Sequence, residues 1–136
     1  MERLLWIALA GAAGTLARYG LTLGVRGLLP AASPLTLLPV ATATVNVLGC
    51  LLFGAVIALM RARGWVDWPH LAVFTVGFLG AFTTFSTFAF ESAELLGQPA
   101  GSGAWRIGLA NLVLSPLLGL GAYLAGGALV RASVAA

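Results

Sequence analysis

Residues 77–88 read GFLGAFTTFSTF, and this stretch decides how the rest of the chain is interpreted. Its twelve positions hold two glycines and four hydroxyl side chains. Glycine and β-branched residues lower helix propensity, and hydroxyl groups offer the backbone alternative hydrogen bonds. We therefore expect a helix that is broken near Gly80 and Ala81, at the midpoint of the apolar run 71–90. A kinked but continuous helix is the alternative.

Four apolar runs organise the chain around this stretch. They cover residues 4–25, 35–60, 71–90 and 107–130, and only the first contains a charge, Arg18. A helix needs about 20 apolar residues to cross a bilayer, and the hydrocarbon core admits only helices or closed barrels. Because the runs lack the alternation of barrel strands, we predict an all-α membrane protein. It forms a single transmembrane domain over 1–136, with helices at about 4–27, 35–60, 71–92 and 105–131.

The composition excludes most other classes of protein. Hydrophobic residues make up 60% of the chain and charged residues 8%, which is too little charge for the surface of a soluble domain. The net charge of +3 comes from scattered arginines, so we expect no nucleic-acid partner. With one cysteine, one histidine and no phosphate-binding loop or acid/base dyad, the sequence gives no support for an enzyme. The N-terminal run imitates a signal peptide, but its apolar pattern continues, so we interpret it as a retained helix.

The arginine distribution specifies the orientation in the membrane only weakly. The side that holds both termini carries four arginines, and the other side carries two or three. These are Arg3, Arg61, Arg63 and Arg131, against Arg26, Arg106 and the intramembrane Arg18. Since the arginine count of short loops sets orientation, this small bias permits insertion in both directions. Four helices enclose little space for a solute, so we expect the chain to assemble, and insertion in both directions permits an antiparallel homodimer.

Polar side chains occur at mid-depth in two spans. Thr42 and Asn46 lie four residues apart in the second span, and Asn111 and Ser115 have the same spacing in the fourth. Residues at this spacing share a helical face. A buried amide in lipid needs a partner or a watery cavity. These groups therefore either hold helices together by hydrogen bonds or donate N–H and O–H groups to an anion.

Two further features are compatible with an anion path. Phe85 and Phe88 share a helical face, where aromatic pairs usually serve packing, but the ring edges carry a partial positive charge. Arg18 either lines a vestibule that attracts anions or pairs with a carbonyl group in the packing.

Three stretches of the chain resemble the CrcB/Fluc family of fluoride channels. They are GAAGTLARYG at 11–20, ATVNVLGCLLFG at 43–54 and GFLGAFTTFSTFAFE at 77–91, and the four-span layout is similar along the whole chain. The resemblance implies a dual-topology antiparallel homodimer with two fluoride pores. It also implies a central structural Na⁺ ion held by backbone carbonyls of both subunits, which belong here to Gly80 and Thr83.

The resemblance also assigns the fluoride path and the vestibule. The arginine of the first motif corresponds to Arg18. Where many relatives carry an aromatic residue one turn before the serine of the fourth helix, this chain has Asn111. The residues that correspond to the fluoride path of the family are Thr42, Asn46, Phe85, Phe88 and Ser115.

The resulting hypothesis is passive, fluoride-selective export through the inner cell membrane. Neutral hydrogen fluoride crosses lipid and dissociates in the cytoplasm, and a channel lets the trapped anion leave down its gradient, which lowers its toxicity. A small dual-topology multidrug exporter is one alternative. It needs a carboxylate within the membrane, but the first, second and fourth spans have none, and Glu91 and Glu94 lie at the end of the third. A membrane assembly protein that transports nothing is the other.

Overall fold

The computed structural model describes residues 1–29, 39–65 and 70–135, and their secondary structure is helical. Helix α1 is Glu2–Leu28 and α2 is Val40–Ala62. The third segment consists of a π-helix, Val73–Leu79, a short α3, Gly80–Phe82, and α4, Phe85–Leu96. A 3-10 turn at Ala100–Ser102 precedes α5, Ala104–Ala135. Four spans in these ranges are long and apolar enough to cross a membrane, which confirms the predicted all-helical membrane class.

The spans differ from their predicted bounds by a few residues. The second begins at Val40, and residues 35–38 of its prediction lie outside the described residues. The third continues beyond residue 92 to Leu96, so that Glu91 and Glu94 lie inside α4. The fourth runs to Ala135. Apolar runs mark only the part of a helix that needs lipid, whereas helical hydrogen bonding continues into the interface.

Glycines bring α2 and α5 into backbone contact. A Cβ added to Gly54 would overlap the carbonyl oxygen of Tyr123, and one added to Gly126 would overlap that of Leu51. Small residues at such crossings let transmembrane helices approach closely. Both glycines are buried, and α2 and α5 form the largest helix pair of the bundle.

Helix α1 packs in the same way against the π-helix. A Cβ on Gly14 would overlap the carbonyl oxygen of Phe78, and one on Gly77 would lie 2.9 Å from the carbonyl oxygen of Ile7. Gly20 and Gly24, which form a small-xxx-small pair, behave differently, because an added Cβ would meet no atom of the described chain within 4 Å. The close contacts inside one chain are therefore made by other glycines.

The bundle is buried at a few central positions and apolar on its outside. Val45 and Leu79 are 1% exposed and form the centre between α2 and the third span. Large aliphatic side chains such as Leu16 and Leu117 are exposed. An outer surface of this kind suits a lipid environment rather than water.

Candidate functional site

Helical geometry stops at Phe82 and resumes at Phe85. Between them Thr83 and Thr84 are extended, with φ/ψ of −77°/160° and −148°/116°. The preceding turns are already irregular, because Val73–Leu79 forms a π-helix. π-Helices are rare in proteins, and those that occur are frequently found at functional sites. Two consecutive extended residues interrupt the ladder of helical hydrogen bonds and leave backbone groups that need other partners.

The side-chain amide of Asn46 takes up both backbone groups of Thr84. Its Oδ1 accepts from the Thr84 N–H at 2.8 Å, and its Nδ2 donates to the Thr84 carbonyl oxygen at 3.0 Å. Asn46 reaches these groups because α2 crosses the third span here, where Gly49 leaves room for Thr83 and Phe82. One N–H of the Asn46 amide is not used by this pairing, since an amide nitrogen carries two hydrogens.

Thr84 also starts the next helix. Its Oγ1 accepts from the Thr87 N–H at 3.2 Å, which is an N-cap contact for α4. The same hydroxyl donates to Thr87 Oγ1 at 3.0 Å. The extended pair is thus held by Asn46 on one side and by its own cap on the other.

Two carbonyl groups lose their helical donors as a result. In a continuous α-helix, the N–H of Thr84 would donate to the carbonyl of Gly80, and the N–H of Thr87 to that of Thr83. Here the first N–H donates to Asn46 and the second to the side chain of Thr84. The carbonyls of Gly80 and Thr83 therefore do not receive their usual helical donors, and these are the two that the family resemblance assigns to a cation.

A cavity of about 400 Å³ lies beside this interruption. It brings together the predicted site residues Asn46, Thr83, Phe85, Phe88 and Ser115. The remaining wall comes from α2, α4 and α5 and is mostly apolar: Gly49, Cys50, Phe53, Thr84, Pro116, Gly119, Leu120 and Tyr123.

The two phenylalanines of the cavity differ in burial. Phe88 is 9% exposed, whereas Phe85 is 79% exposed, and their ring centroids are 5.7 Å apart with planes inclined by 46°. The tilt is between stacked and edge-to-face arrangements. Because Phe85 stands largely free of its own chain, this side of the cavity is open in a single protomer.

Asn111 does not line the cavity. Its side chain is 7% exposed and accepts a hydrogen bond from the Ser115 hydroxyl at 2.6 Å. Asn111 Nδ2 donates to Ser92 Oγ at 2.8 Å, and the Ser92 hydroxyl donates to the Phe88 carbonyl at 2.8 Å. A continuous chain of hydrogen bonds therefore connects the hydroxyl of Ser115 on α5 to the backbone of α4.

Thr42 and Arg18 lie together in a second, smaller cavity of about 230 Å³. It is bounded by Thr15, Tyr19, Thr22, Arg26, Val45, Thr84 and Thr87. Thr84 lines both cavities. The Thr42 hydroxyl donates to Glu91 Oε1 at 2.9 Å, and Glu91 Oε2 is buried with no hydrogen-bond partner among the described residues.

Comparison with known proteins gives the family. Residues 5–127 match the family described as CrcB-like protein, Camphor Resistance (CrcB). The chain belongs to the CrcB family. A relative from Solidesulfovibrio magneticus, named fluoride-specific ion channel FluC, is 47% identical over 96% of this chain and 98% of its own length. Proteins of the same name from Nitrosococcus oceani and Maridesulfovibrio salexigens are 42% and 40% identical, over 88% and 96% of this chain and 88% and 97% of their own lengths.

Sequence reasoning missed three residues of this CrcB site. Thr84 caps α4 and pairs with Asn46, Ser92 continues the chain from Asn111, and Glu91 accepts from Thr42. A threonine directly before the apolar helical stretch 85–90 is a common N-cap residue, so Thr84 carried a signal that could have been found. Ser92 and Glu91 carried no such signal, because their partners are distant in sequence.

The described part of the CrcB chain holds no group of three or more His, Cys, Asp or Glu side chains that could bind a metal. That search concerns side chains alone. Hard monovalent and divalent cations also bind backbone carbonyl oxygens.

Proposed function

We propose that this protein is a fluoride-selective channel that lets cytoplasmic fluoride leave the cell passively across the inner membrane. The relatives named as fluoride-specific channels support this function over most of the chain. The single observation that carries the proposal is the cavity in which amide, hydroxyl and aromatic-edge groups converge next to the extended Thr83–Thr84 pair.

Fluoride would pass by exchanging its water shell for these groups. The unused N–H of Asn46 and the ring edges of Phe85 and Phe88 offer partial positive charge without a full cation. Such contacts are strong enough to replace water and weak enough to release the ion, as conduction requires. The Ser115 hydroxyl donates to Asn111. It can donate to an anion only after this hydrogen bond breaks and the hydroxyl group rotates.

Arg18 serves in this proposal as the entrance charge. It lies with Arg26 and Thr42 in the smaller cavity, and Thr84 lines both this cavity and the larger one. Clustered positive charge in a low-dielectric cleft raises the local concentration of anions. The cavity thus supplies fluoride to the path without binding it tightly.

The functional unit in this proposal is an antiparallel homodimer. Phe85 is 79% exposed in one chain although it borders the cavity. A second copy would cover this ring and close the open side. The weak arginine bias supports opposite orientations of the two copies.

The discontinuity in the third span has a structural role in the proposal. The carbonyls of Gly80 and Thr83, whose helical donors are used elsewhere, would hold a Na⁺ ion together with those of a second copy. The ion would supply positive charge that offsets the converging carbonyl dipoles. Irregular backbone at membrane depth persists only where protein or a cavity satisfies it.

The test is fluoride efflux from liposomes that contain the purified protein, followed with a fluoride electrode. We expect rapid efflux without a proton gradient, exclusion of chloride, and a strong decrease for Phe85→Ile and Phe88→Ile while the dimer persists. Leu117→Ile, on the exposed face of α5, is the matched control. Efflux equal to that of empty liposomes would refute the proposal.

Glu91 is the observation that favours a proton-coupled exporter instead. It lies inside the third span, and one carboxylate oxygen is buried without a partner among the described residues. An exporter would need this carboxylate to carry protons, so Glu91→Gln would abolish proton-driven uptake of a cationic dye. If the protein is a channel, neither the unmodified chain nor the Glu91→Gln variant should take up the dye.

A further inference from the structure

A third cavity lies between α2 and α5 next to the proposed fluoride cavity, with which it shares Tyr123. Its volume is about 500 Å³. It is bounded by Gly54, Ile57, Ala58, Arg61, Ala62, Tyr123, Leu124, Gly127 and Arg131. This volume lies within the range of small-molecule sites, about 300–1,000 Å³. Apart from Gly54 and Tyr123, these residues belong to the C-terminal parts of the two helices.

Two arginines give the cavity a positive rim. Arg61 and Arg131 are exposed, and no described residue in the lining is acidic. Both lie on the same side of the membrane, because the second and fourth spans of a four-span chain run in the same direction. The rim therefore carries two positive charges at the level where a helix leaves the hydrocarbon.

Arg131 is directed back over the cavity rather than away from the helix. Its Nη1 lies 3.1 Å from the position that a Cβ on Gly127 would occupy, and the Gly54 carbonyl oxygen lies 3.6 Å from the same point. Glycine four residues earlier leaves the space that this conformation needs. A larger residue at 127 would push the guanidinium group away from the groove.

The floor of the cavity is apolar. Ile57, Ala58 and Leu124 supply aliphatic surface, and Gly54 and Gly127 expose backbone rather than side chains. The site thus combines a dicationic rim with an apolar groove. An inorganic anion would match the rim alone, whereas an amphiphile with a phosphate and an alkyl chain would match both parts.

We propose that this cavity binds an anionic phospholipid, with the headgroup phosphate at Arg61 and Arg131 and the start of an acyl chain along the α2–α5 groove. Basic pockets between transmembrane helices bind anionic headgroups by this combination of charge and apolar surface. The two arginines of this site do not line the proposed fluoride cavity, and the existence of the site does not depend on which solute the protein conducts.

Native mass spectrometry of the detergent-solubilised full chain tests the proposal. The protein is titrated with palmitoyl-oleoyl phosphatidylglycerol, with phosphatidylcholine of the same acyl chains, and with inorganic phosphate. Each basic residue near a headgroup contributes about a fivefold change in affinity. We therefore expect Arg61→Gln/Arg131→Gln to weaken phosphatidylglycerol binding roughly 25-fold.

Arg63→Gln is the matched control, because it removes the same charge two residues from Arg61 without touching the cavity. It should leave the phosphatidylglycerol affinity within about twofold of the original. Equal binding of phosphatidylcholine, equal binding of inorganic phosphate alone, or equal loss in the Arg63→Gln protein would each overturn the proposal. Since all three arginines are exposed, the variants should fold like the unmodified chain.

Discussion

Asn46 has a more specific task than either of the two expected from sequence. It was expected either to tie helices together or to donate to an anion, and it does the first by pairing with both backbone groups of Thr84. In doing so it satisfies groups that would otherwise be buried without partners, at a cost of about 1–3 kcal/mol each. Asn46 also lines the cavity, and its remaining N–H is the proposed donor to fluoride.

We predict different outcomes for Asn46→Ala and Asn46→Asp. Alanine leaves both backbone groups of Thr84 unpaired and should lower the free energy of unfolding by about 2–6 kcal/mol. Aspartate still accepts from the Thr84 N–H but turns a second carboxylate oxygen toward the Thr84 carbonyl oxygen, so it should not recover the stability that alanine loses, and its negative charge should abolish fluoride efflux. Thermal unfolding and liposome efflux measure the two effects.

Gln98→Glu, an equivalent change at an exposed position after α4, should alter neither quantity. An Asn46→Asp protein that conducts fluoride at the original rate would contradict the role of Asn46 in the path.

The role of Asn111 in the fluoride path stays a prediction, and its hydrogen bonds suggest how to test it. It holds the hydroxyl of Ser115 and is itself held by Ser92, but it does not border the cavity. We predict that Asn111→Ala acts through Ser115, with a loss of efflux of roughly three- to tenfold, the worth of one hydrogen bond.

The double variant separates the two roles. If Asn111 only positions Ser115, Asn111→Ala/Ser115→Ala should show the same efflux as Ser115→Ala alone. Multiplicative losses would mean that Asn111 contacts fluoride directly. Leu112→Ala, a neighbouring exposed position on α5, is the control and should leave efflux unchanged.

At the scale of elements, the contact between α2 and α5 supports two of the cavities. It depends on reciprocal glycines, with Gly54 against the Tyr123 carbonyl and Gly126 against that of Leu51. Backbone atoms cannot move aside as a flexible side chain can. The separation of these two helices therefore sets the width of the fluoride cavity and of the lipid groove alike.

We predict that Gly54→Ala lowers the free energy of unfolding by about 1–3 kcal/mol, the usual cost of overpacking. Gly121→Ala, in α5 with no atom of the described chain within 4 Å of an added Cβ, should be neutral or slightly stabilising. Denaturant titration in detergent measures both variants. Equal stability of the two would show that α2 and α5 can separate freely.

Hydropathy predicts the spans because lipid imposes their length, and the helices then extend a few residues past each apolar run. The glycine and threonine content of 77–88 predicts where the third span is weak, and the extended residues lie at Thr83 and Thr84, just after the expected midpoint. The π-helix before them and the Thr42–Glu91 and Asn111–Ser92 bonds were not predicted, because they depend on packing between distant segments.

At the scale of the whole molecule, the distribution of arginines bears on assembly. The expected sides carry four arginines and two or three arginines, which predicts only a weak preference for one orientation. An antiparallel dimer needs both orientations in the same membrane. Its abundance should therefore respond to single charges placed far from the cavity.

We predict that three arginines added after Ala136 bias the chain to one orientation and reduce fluoride efflux from cells. Co-expression with Arg3→Ser/Arg63→Ser, which carries fewer arginines on that side, should restore efflux, because the two chains then insert oppositely. Efflux that is unaffected by the added arginines would argue against an antiparallel functional unit. Accessibility labelling of each terminus measures the orientations directly.

Cys50 lines the proposed fluoride cavity, where its Sγ lies close to Gly119 at the α2–α5 contact. The chain has one thiol in all. Any covalent adduct that a sulfhydryl reagent forms with a cysteine of the purified protein therefore lies at this cavity. The rate at which small, charged reagents attach measures how readily water and ions enter it, with no engineered residue required.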